Sequence, residues 1–209
     1  MSILTNPRRP RMSDDALAHW PTPVNCTRAL LDEHPPPTKT IVEPSAGSGG
    51  IVAPLALAGY SVDCFEVRPE CEPDLLQAGA RSISIGDWLS VSPDDRRLPK
   101  RRFGIIGNPP YKPSEIMLEH VRRCLALCPY YVALHLPLSF LSGGSDRRVF
   151  WSGVEDLAMG TSLSGLYFFS SRPRYVDGGG QFEPAWFVWD AEWQRQGKQA
   201  IKMLDLSRP

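Results

Sequence analysis

The segment Asn108-Pro109-Pro110-Tyr111 carries the clearest chemical signal in the amino-acid sequence. Its two consecutive prolines fix the backbone, which holds the Asn108 amide and the Pro109 carbonyl as rigid hydrogen-bond acceptors beside the Tyr111 ring. Two acceptors can orient the N–H bonds of an amine, and an aromatic ring can stack on a flat face. The segment therefore predicts a site for a planar substrate that bears an exocyclic amine.

A glycine-rich turn lies earlier in the chain, where residues 43–50 (EPSAGSGG) follow a short apolar run. Glycines at a strand-to-helix turn let the backbone pass close to a ligand, and ligands of open α/β sheets lie outside the carboxyl ends of the strands. The third glycine of the dinucleotide fingerprint is missing at its usual spacing, because Gly50 comes too early. This spacing excludes a nicotinamide dehydrogenase.

Acidic side chains end the next two predicted strands. Glu66 stands where a carboxylate commonly hydrogen-bonds ribose hydroxyls. Asp87 offers a carboxylate for an adenine amino group, and the adjacent Trp88 offers a flat ring for stacking. A turn cap is the alternative role for Asp87, and a core aromatic is the alternative for Trp88. The coincidence of a glycine turn and two acidic strand ends favours a nucleotide-like ligand.

Short apolar runs alternate with amphipathic stretches and position these residues. The pattern predicts seven strands at residues 40–42, 61–67, 83–85, 103–106, 131–136, 163–169 and 185–189. Helices are predicted at residues 24–33, 50–58, 75–80 and 114–127, with a helical turn at 14–20. Alternating strands and helices indicate an α/β fold with a mostly parallel seven-stranded sheet and helices on both faces.

The amino-acid composition limits the class of protein that the chain can form. The 209 residues are 42% apolar and 22% charged, which excludes wholesale disorder. We expect a flexible tail at residues 1–12 and a single domain at 13–209. No apolar stretch is long enough to span a bilayer and no signal-peptide pattern opens the chain, so we expect a cytoplasmic protein without a membrane partner. Five cysteines without paired spacing predict neither disulfides nor a metal site.

Glu43-Pro44-x-x-Gly47-x-Gly49 followed by Asn108-Pro109-Pro110-Tyr111 resembles the S-adenosylmethionine-dependent amino-methyltransferases of the DNA adenine type. The resemblance extends over roughly residues 20–190. It implies a Rossmann-like class I methyltransferase fold, S-adenosylmethionine as the cofactor, and methyl transfer to the exocyclic amine of adenine in DNA. The implied catalytic residues are Asn108, Pro109, Pro110 and Tyr111.

Trp20-Pro21-Thr22-Pro23 is similar to the family's N-terminal cofactor motif, in which Thr22 and Pro23 would lie against the methionine end. In the same way Glu66 would hold the ribose, Asp87 the adenine amine, and Trp88 or nearby apolar groups the adenine ring. The full set of cofactor-binding residues that the resemblance implies is Thr22, Pro23, Glu43, Pro44, Ser45, Gly47, Gly49, Glu66, Asp87, Trp88 and Asn108.

The sequence differs from the family in one respect: it contains no segment long enough to form a separate target-recognition domain. No stretch long enough for a recognition domain separates Asp87 from Asn108 or follows Arg172. We therefore expect low or loop-encoded sequence specificity, or recognition by a partner protein or a second copy of the chain. The loops at residues 94–102 and 172–184 supply the expected nucleic-acid contacts, which are Arg96, Arg97, Arg101, Arg102, Arg172 and Arg174.

Several alternatives stay open on sequence alone. Similar clamps act on adenine in RNA, on cytosine and on protein glutamine, and the methyltransferase fold also serves as a catalytically silent binding module. The intact Asn108 and Tyr111 argue against a silent module. His135 could be a general base, although a buried core histidine is the favoured interpretation. The sequence leaves open whether a restriction-modification system or a phage is the source.

Overall fold

The computed structural model of the protein describes residues 21–128, 130–174 and 183–206. The predicted tail at 1–12, the predicted helical turn at 14–20 and the glycine run at 178–180 lie outside these residues. The helices are α1 (Val24–Glu33), α2 (Val52–Leu57), α3 (Glu72–Gln77), α4 (Ser114–Leu127), α5 (Ser145–Trp151) and α6 (Ala191–Arg195). The strands are β1 (Thr40–Glu43), β2 (Ser61–Glu66), β3 (Ser82–Ile85), β4 (Gly104–Gly107), β5 (Tyr131–Pro137), β6 (Gly165–Phe169), β7 (Pro184–Asp190) and β8 (Ala200–Leu204).

All eight strands form one sheet in the order β3-β2-β1-β4-β5-β7-β6-β8. Strands β1 to β5 run parallel to one another. Strand β7 is antiparallel to both of its neighbours, β5 and β6. The order of the strands reverses at β1, where β4 lies on one side and β2 on the other, and such a switch point is where open α/β sheets bind ligands.

Two apolar cores cover the two faces of the sheet, because successive strand residues point to opposite sides. On one face, Leu30 of α1, Leu55 of α2 and Leu75 of α3 pack against the sheet. On the other face, the sheet is covered by Met117 of α4 and Phe150 of α5. This arrangement explains why strands β1, β4 and β5 are buried along their whole length.

The two ends of the parallel strands define two edges. We call the edge at which β1, β2, β4 and β5 end the carboxyl edge, and the opposite one the amino edge. Strand β6 is parallel to β5, so the last residue of β6 also lies at the carboxyl edge. The first residue of β7 lies there too, because Pro184 pairs with Pro137 at the end of β5. The glycine turn, the Asn108 segment and the connection from β6 to β7 therefore share one edge.

The α/β class and the mostly parallel sheet with helices on both faces are confirmed. The sheet also contains an eighth strand, β8, which the sequence pattern did not reveal. Its outward residues Ile201 and Met203 are 73% and 61% exposed, so this edge strand lacks the buried run by which the inner strands are recognised. No helix among the described residues is long and apolar enough to span a membrane.

Candidate active site

The glycine turn is tied to the end of β2 by its backbone. The Ala46 N–H donates to the Phe65 carbonyl at 3.0 Å, and the Gly47 N–H donates to Glu66 Oε2 at 2.6 Å. Gly47 and Gly49 have φ of 55° and 87°, a region that disfavours residues with a side chain. The turn is therefore fixed at the carboxyl edge, between β1 and β2.

Glu43, the last residue of β1, is completely buried beneath this turn. Burial raises the pKa of the Glu43 carboxyl well above its usual value, and the nearby charge of Glu66 raises it further. Hydrogen bonds from the backbone N–H groups of Ser45 and Asn108 lower the pKa and partly offset that effect. Gly107 lets the chains approach, because a Cβ there would lie 2.9 Å from Glu43 Oε1 and 2.8 Å from Pro44 Cδ. Glu43 thus joins the glycine turn to the Asn108 segment.

Glu66 is 5% exposed and already has hydrogen-bond partners. Its Oε1 accepts from the Arg68 backbone N–H at 3.0 Å and from Arg68 Nε at 2.9 Å, in addition to the Gly47 contact at Oε2. Each carboxylate oxygen can accept more than one hydrogen bond. Glu66 can therefore take a ligand hydroxyl while it keeps the turn in place.

Asp87 and Trp88 follow β3 and lie in different environments. Asp87 is exposed, and its Oδ1 accepts from the Leu89 N–H at 2.9 Å, which caps a 3₁₀ turn at Trp88–Ser90. Trp88 is only 2% exposed and packs edge-on against Phe65 with ring centroids 5.1 Å apart. The expectation that the Trp88 ring stacks on a ligand is corrected, because the core covers both faces of that ring.

Asn108 is held by a segment that is distant in the sequence. Its Nδ2 donates to Thr22 Oγ1 at 3.0 Å. Thr22 in turn lies against Gly50, where a Cβ would approach the Thr22 carbonyl oxygen to 2.5 Å. The residues before α1, the glycine turn and the Asn108 segment therefore meet at one point. Since the amide nitrogen is used as a donor to Thr22, Oδ1 is the atom of this side chain that accepts.

Tyr111 is anchored to β5 through its hydroxyl group. The hydroxyl oxygen lies 2.9 Å from His135 Nδ1 and 3.2 Å from the His135 carbonyl oxygen. His135 is completely buried, and burial lowers the pKa of its imidazole to about 3. His135 is therefore neutral at physiological pH and belongs to the core, as the favoured interpretation of the sequence has it.

The five cysteines are free and buried. Burial raises the pKa of Cys26 to about 12 and also raises the pKa values of Cys64, Cys124 and Cys128. Thiolate is the nucleophilic form of cysteine, so none of these four groups is an activated nucleophile.

The arginine-rich connection from β3 to β4 crosses from the carboxyl edge to the amino edge. The Arg97 guanidinium lies 5.3 Å from the centre of the Phe65 ring, near the end of β2, and pairs with Asp95 at 2.6 Å. The Arg102 guanidinium instead lies 4.5 Å from the Tyr130 ring centre, just before β5 begins. Arg101 and Arg102 are thus at the amino edge, away from Asn108, and their contact with nucleic acid stays a prediction.

Other basic side chains lie at the carboxyl edge. Arg172 forms an ion pair with Glu183, and the next basic residue, Arg174, is exposed. Two further cations are not among the predicted nucleic-acid contacts: Lys112 follows Tyr111, and Arg148 lies in the last turn of α5, where the preceding Arg147 donates to carbonyls just beyond β5. The adjacency of Lys112 to Tyr111 and the pairing of Arg147 with Arg148 were the available signals. We call Lys112, Arg148 and Arg174 the basic set.

No protein-family model and no curated protein matches the sequence. Solved structures of similar fold include a proposed RNA methyltransferase of Pyrococcus horikoshii, with a TM-score of 0.59 and 14% identity over 79% of this chain and 80% of that one. The modification subunit of a proposed type I restriction enzyme from Vibrio vulnificus gives a TM-score of 0.60 at 13% identity, over 94% of this chain but 49% of that one.

The 23S rRNA methyltransferase ErmE also matches, with a TM-score of 0.53 and 14% identity over 79% of this chain and 66% of that one. At such low identity these similarities establish the fold alone. The chain has the Rossmann-like fold found in methyltransferases, and it spans about half the length of the Vibrio vulnificus subunit.

Proposed function

We propose that the chain is an S-adenosylmethionine-dependent methyltransferase that acts on the exocyclic amine of adenine in DNA, in the cytoplasm. One observation carries the proposal: Asn108 and Tyr111 are both held by hydrogen bonds, and Asn108 adjoins the glycine turn through Thr22. A site for an amine and a site for a nucleoside-like cofactor are therefore neighbours at one edge of the sheet.

The residues of the carboxyl edge suit S-adenosylmethionine. Glu66 and the exposed Asp87 present carboxylates at the ends of neighbouring strands, as ribose hydroxyls and an adenine amino group require. Thr22 borders the glycine turn at Gly50, and the adjacent Pro23 is the N-cap residue of α1. When bound, S-adenosylmethionine supplies a methyl group on a sulfonium centre, which makes that methyl group electrophilic.

The chain's own contribution to the reaction is positioning. The Asn108 Oδ1 and the Pro109 carbonyl accept the N–H bonds of the target amine, and the Tyr111 ring stacks on the base. This orients the nitrogen lone pair toward the methyl group. His135 is buried and neutral and does not act as a general base. The nitrogen is positively charged after transfer and releases to solvent water one of the protons that Asn108 and Pro109 accept in hydrogen bonds, which restores the neutral amine.

A nucleic acid is the polymer that the structural neighbours favour, because an RNA methylase and a restriction modification subunit share this fold. In duplex DNA the target base has to leave the stack to reach Asn108 and Tyr111. The exposed cations of the basic set supply positive charge that can bind phosphates without reading sequence. We therefore propose low or loop-encoded sequence specificity, unless a partner protein or a second copy adds recognition.

Nucleoside mass spectrometry tests this proposal. The purified chain is incubated with S-adenosylmethionine and methyl-free DNA, with RNA, or with a protein extract, and the products are digested and analysed. We expect N6-methyladenine from DNA. Product from RNA or protein alone would reassign the substrate, and no product with any polymer, together with no cofactor binding, would refute the proposal.

Asn108→Ala is the matched variant for this assay. It removes the amine acceptor, so turnover should fall below detection, while the affinity for S-adenosylmethionine measured by calorimetry should stay within about threefold. A collapse of cofactor affinity in this variant would place Asn108 in the cofactor site rather than at the target amine.

A further inference from the structure

The contact between Tyr111 and His135 is more specific than core packing requires. The Tyr111 hydroxyl meets two atoms of the same residue, Nδ1 at 2.9 Å and the carbonyl oxygen at 3.2 Å. The imidazole is completely buried and enclosed by Trp186 and Phe169, whose ring centroids lie 5.0 and 5.7 Å away. His135 therefore cannot swing away from Tyr111 without disturbing strands β6 and β7.

The protonation pattern of this pair follows from a count of donors and acceptors. Within the described part of the chain, His135 Nε2 is buried and has no hydrogen-bond partner. An N–H at that position would be an orphaned donor, whereas a bare nitrogen is only an unfilled acceptor, and buried orphan N–H groups are the rarer case in proteins. The proton is therefore on Nδ1, which donates to the Tyr111 oxygen, and the Tyr111 O–H donates to the His135 carbonyl.

We propose that His135 is a positioning residue, which holds the Tyr111 ring in its base-stacking orientation through these two hydrogen bonds before any substrate arrives. The inference rests on the proposed function, because it assigns a purpose to Tyr111 in that same site. A tyrosine free to rotate would have to be ordered at each binding event, and preorganisation removes that entropic cost. The pKa of His135, lowered to about 3 by burial, keeps the donor pattern unchanged across the physiological range.

The role can be tested through variants of both partners. His135→Leu introduces an apolar side chain of similar size and removes the Nδ1–H donor. We expect kcat to fall by about tenfold and the affinity for S-adenosylmethionine to stay unchanged. His135→Asn places an amide N–H near the former Nδ1 position and should restore most of the lost rate. Tyr111→Phe removes both hydrogen bonds and should lose at least that factor, and His135→Leu should add nothing in that background, because the bond from Nδ1 is already absent.

Tyr167→Phe is the matched control. It deletes a second buried tyrosine–histidine hydrogen bond, from the Tyr167 hydroxyl to His34 Nδ1 at 2.8 Å, at the amino edge. Its cost in folding stability should resemble that of Tyr111→Phe, while kcat should stay within about twofold. An equal loss of kcat in Tyr167→Phe, or fully additive effects of His135→Leu and Tyr111→Phe, would overturn the inference.

A readout that does not depend on turnover separates this inference from the proposed function. Nitrogen-15 NMR of the wild-type imidazole should show the Nδ1–H form of His135, and ring flips of Tyr111 should speed up in His135→Leu. An Nε2–H form or unchanged ring motion would overturn the inference even in an active enzyme. Absence of any methylated product from the wild type, together with no binding of S-adenosylmethionine, would instead refute the proposed function.

Discussion

Replacement of Thr22 by valine would test whether the residues before α1 orient the amine site. The change exchanges a hydroxyl for a methyl group of nearly the same volume at a position that is 5% exposed. It removes the acceptor to which Asn108 Nδ2 donates at 3.0 Å. The amide would then lose the contact that distinguishes its nitrogen from its oxygen, and could rotate to present a donor to the target amine.

The size of the effect follows from the hydrogen bond. A side-chain hydrogen bond of this kind contributes about 1–2 kcal/mol, and each 1.36 kcal/mol in the activation free energy changes a rate about tenfold. If the whole contribution is expressed in the transition state, Thr22→Val lowers the rate of methyl transfer by about 5- to 30-fold. Thr22→Ser keeps the hydroxyl and should stay within about threefold of wild type.

Single-turnover methyl transfer with saturating cofactor is the assay, because it isolates the chemical step from product release. Thr27→Val is the matched control: Thr27 is also completely buried, in α1, and its hydroxyl has no hydrogen-bond partner among the described residues. Thr27→Val should leave the single-turnover rate unchanged and should alter the free energy of unfolding only slightly. If Thr22→Val weakened cofactor binding alone and left the single-turnover rate intact, Thr22 would belong only to the cofactor pocket.

Two further outcomes follow from the electrostatics of the chain. Burial raises the pKa of Glu43 well above 4.5, so the folded state keeps a proton that the unfolded state has released. This group therefore lowers the free energy of unfolding as pH rises from about 4.5 toward the pKa of the folded state. The decrease is at most about 1.4 kcal/mol per pH unit. Glu43→Gln should remove that slope in urea unfolding at pH 5, 6 and 7, and parallel curves for the two proteins would contradict the assignment. Alanine replacement of the three cations of the basic set should weaken DNA binding and make its logarithmic salt slope shallower by about 3, at about 0.9 per phosphate contact. The double variant Arg101→Ala/Arg102→Ala serves as the amino-edge control, and an equal change in its slope would show that DNA is bound away from Asn108.

The fold was predictable from the sequence because its inner strands are buried on both faces. Residues 131–136 and 103–106 are apolar apart from His135, and the structure has strands there. Strand β8 escaped because an edge strand is packed on one face only, so Ile201 and Met203 remain exposed. Short runs of this kind carry no burial signal that separates them from a loop.

Local patterns in the sequence select the residues proposed for the site but not the contacts between them. Glycine and acidic residues at strand ends indicate a ligand edge, yet the same pattern cannot tell a stacking ring from a core ring, and Trp88 proved to be the latter. The path of the arginine-rich connection was equally hidden, since charge alone does not say which edge a loop reaches. The bond between Thr22 and Asn108 joins residues 86 positions apart, beyond the reach of any local pattern.

The hydrogen bonds that hold Asn108 and Tyr111 serve the same purpose, which is to fix the orientation of each side chain. The proposed methyl transfer from an already electrophilic centre needs alignment more than proton abstraction, and the buried polar groups here fix the orientation of side chains. Thr22 holds the amide nitrogen and His135 holds the phenol oxygen, so each acceptor and ring surface is set when the protein folds. Thr22 also lies against Gly50 of the glycine turn. The hydroxyl that holds the Asn108 amide therefore belongs to a residue that also borders the proposed cofactor site, so the two sites share one support.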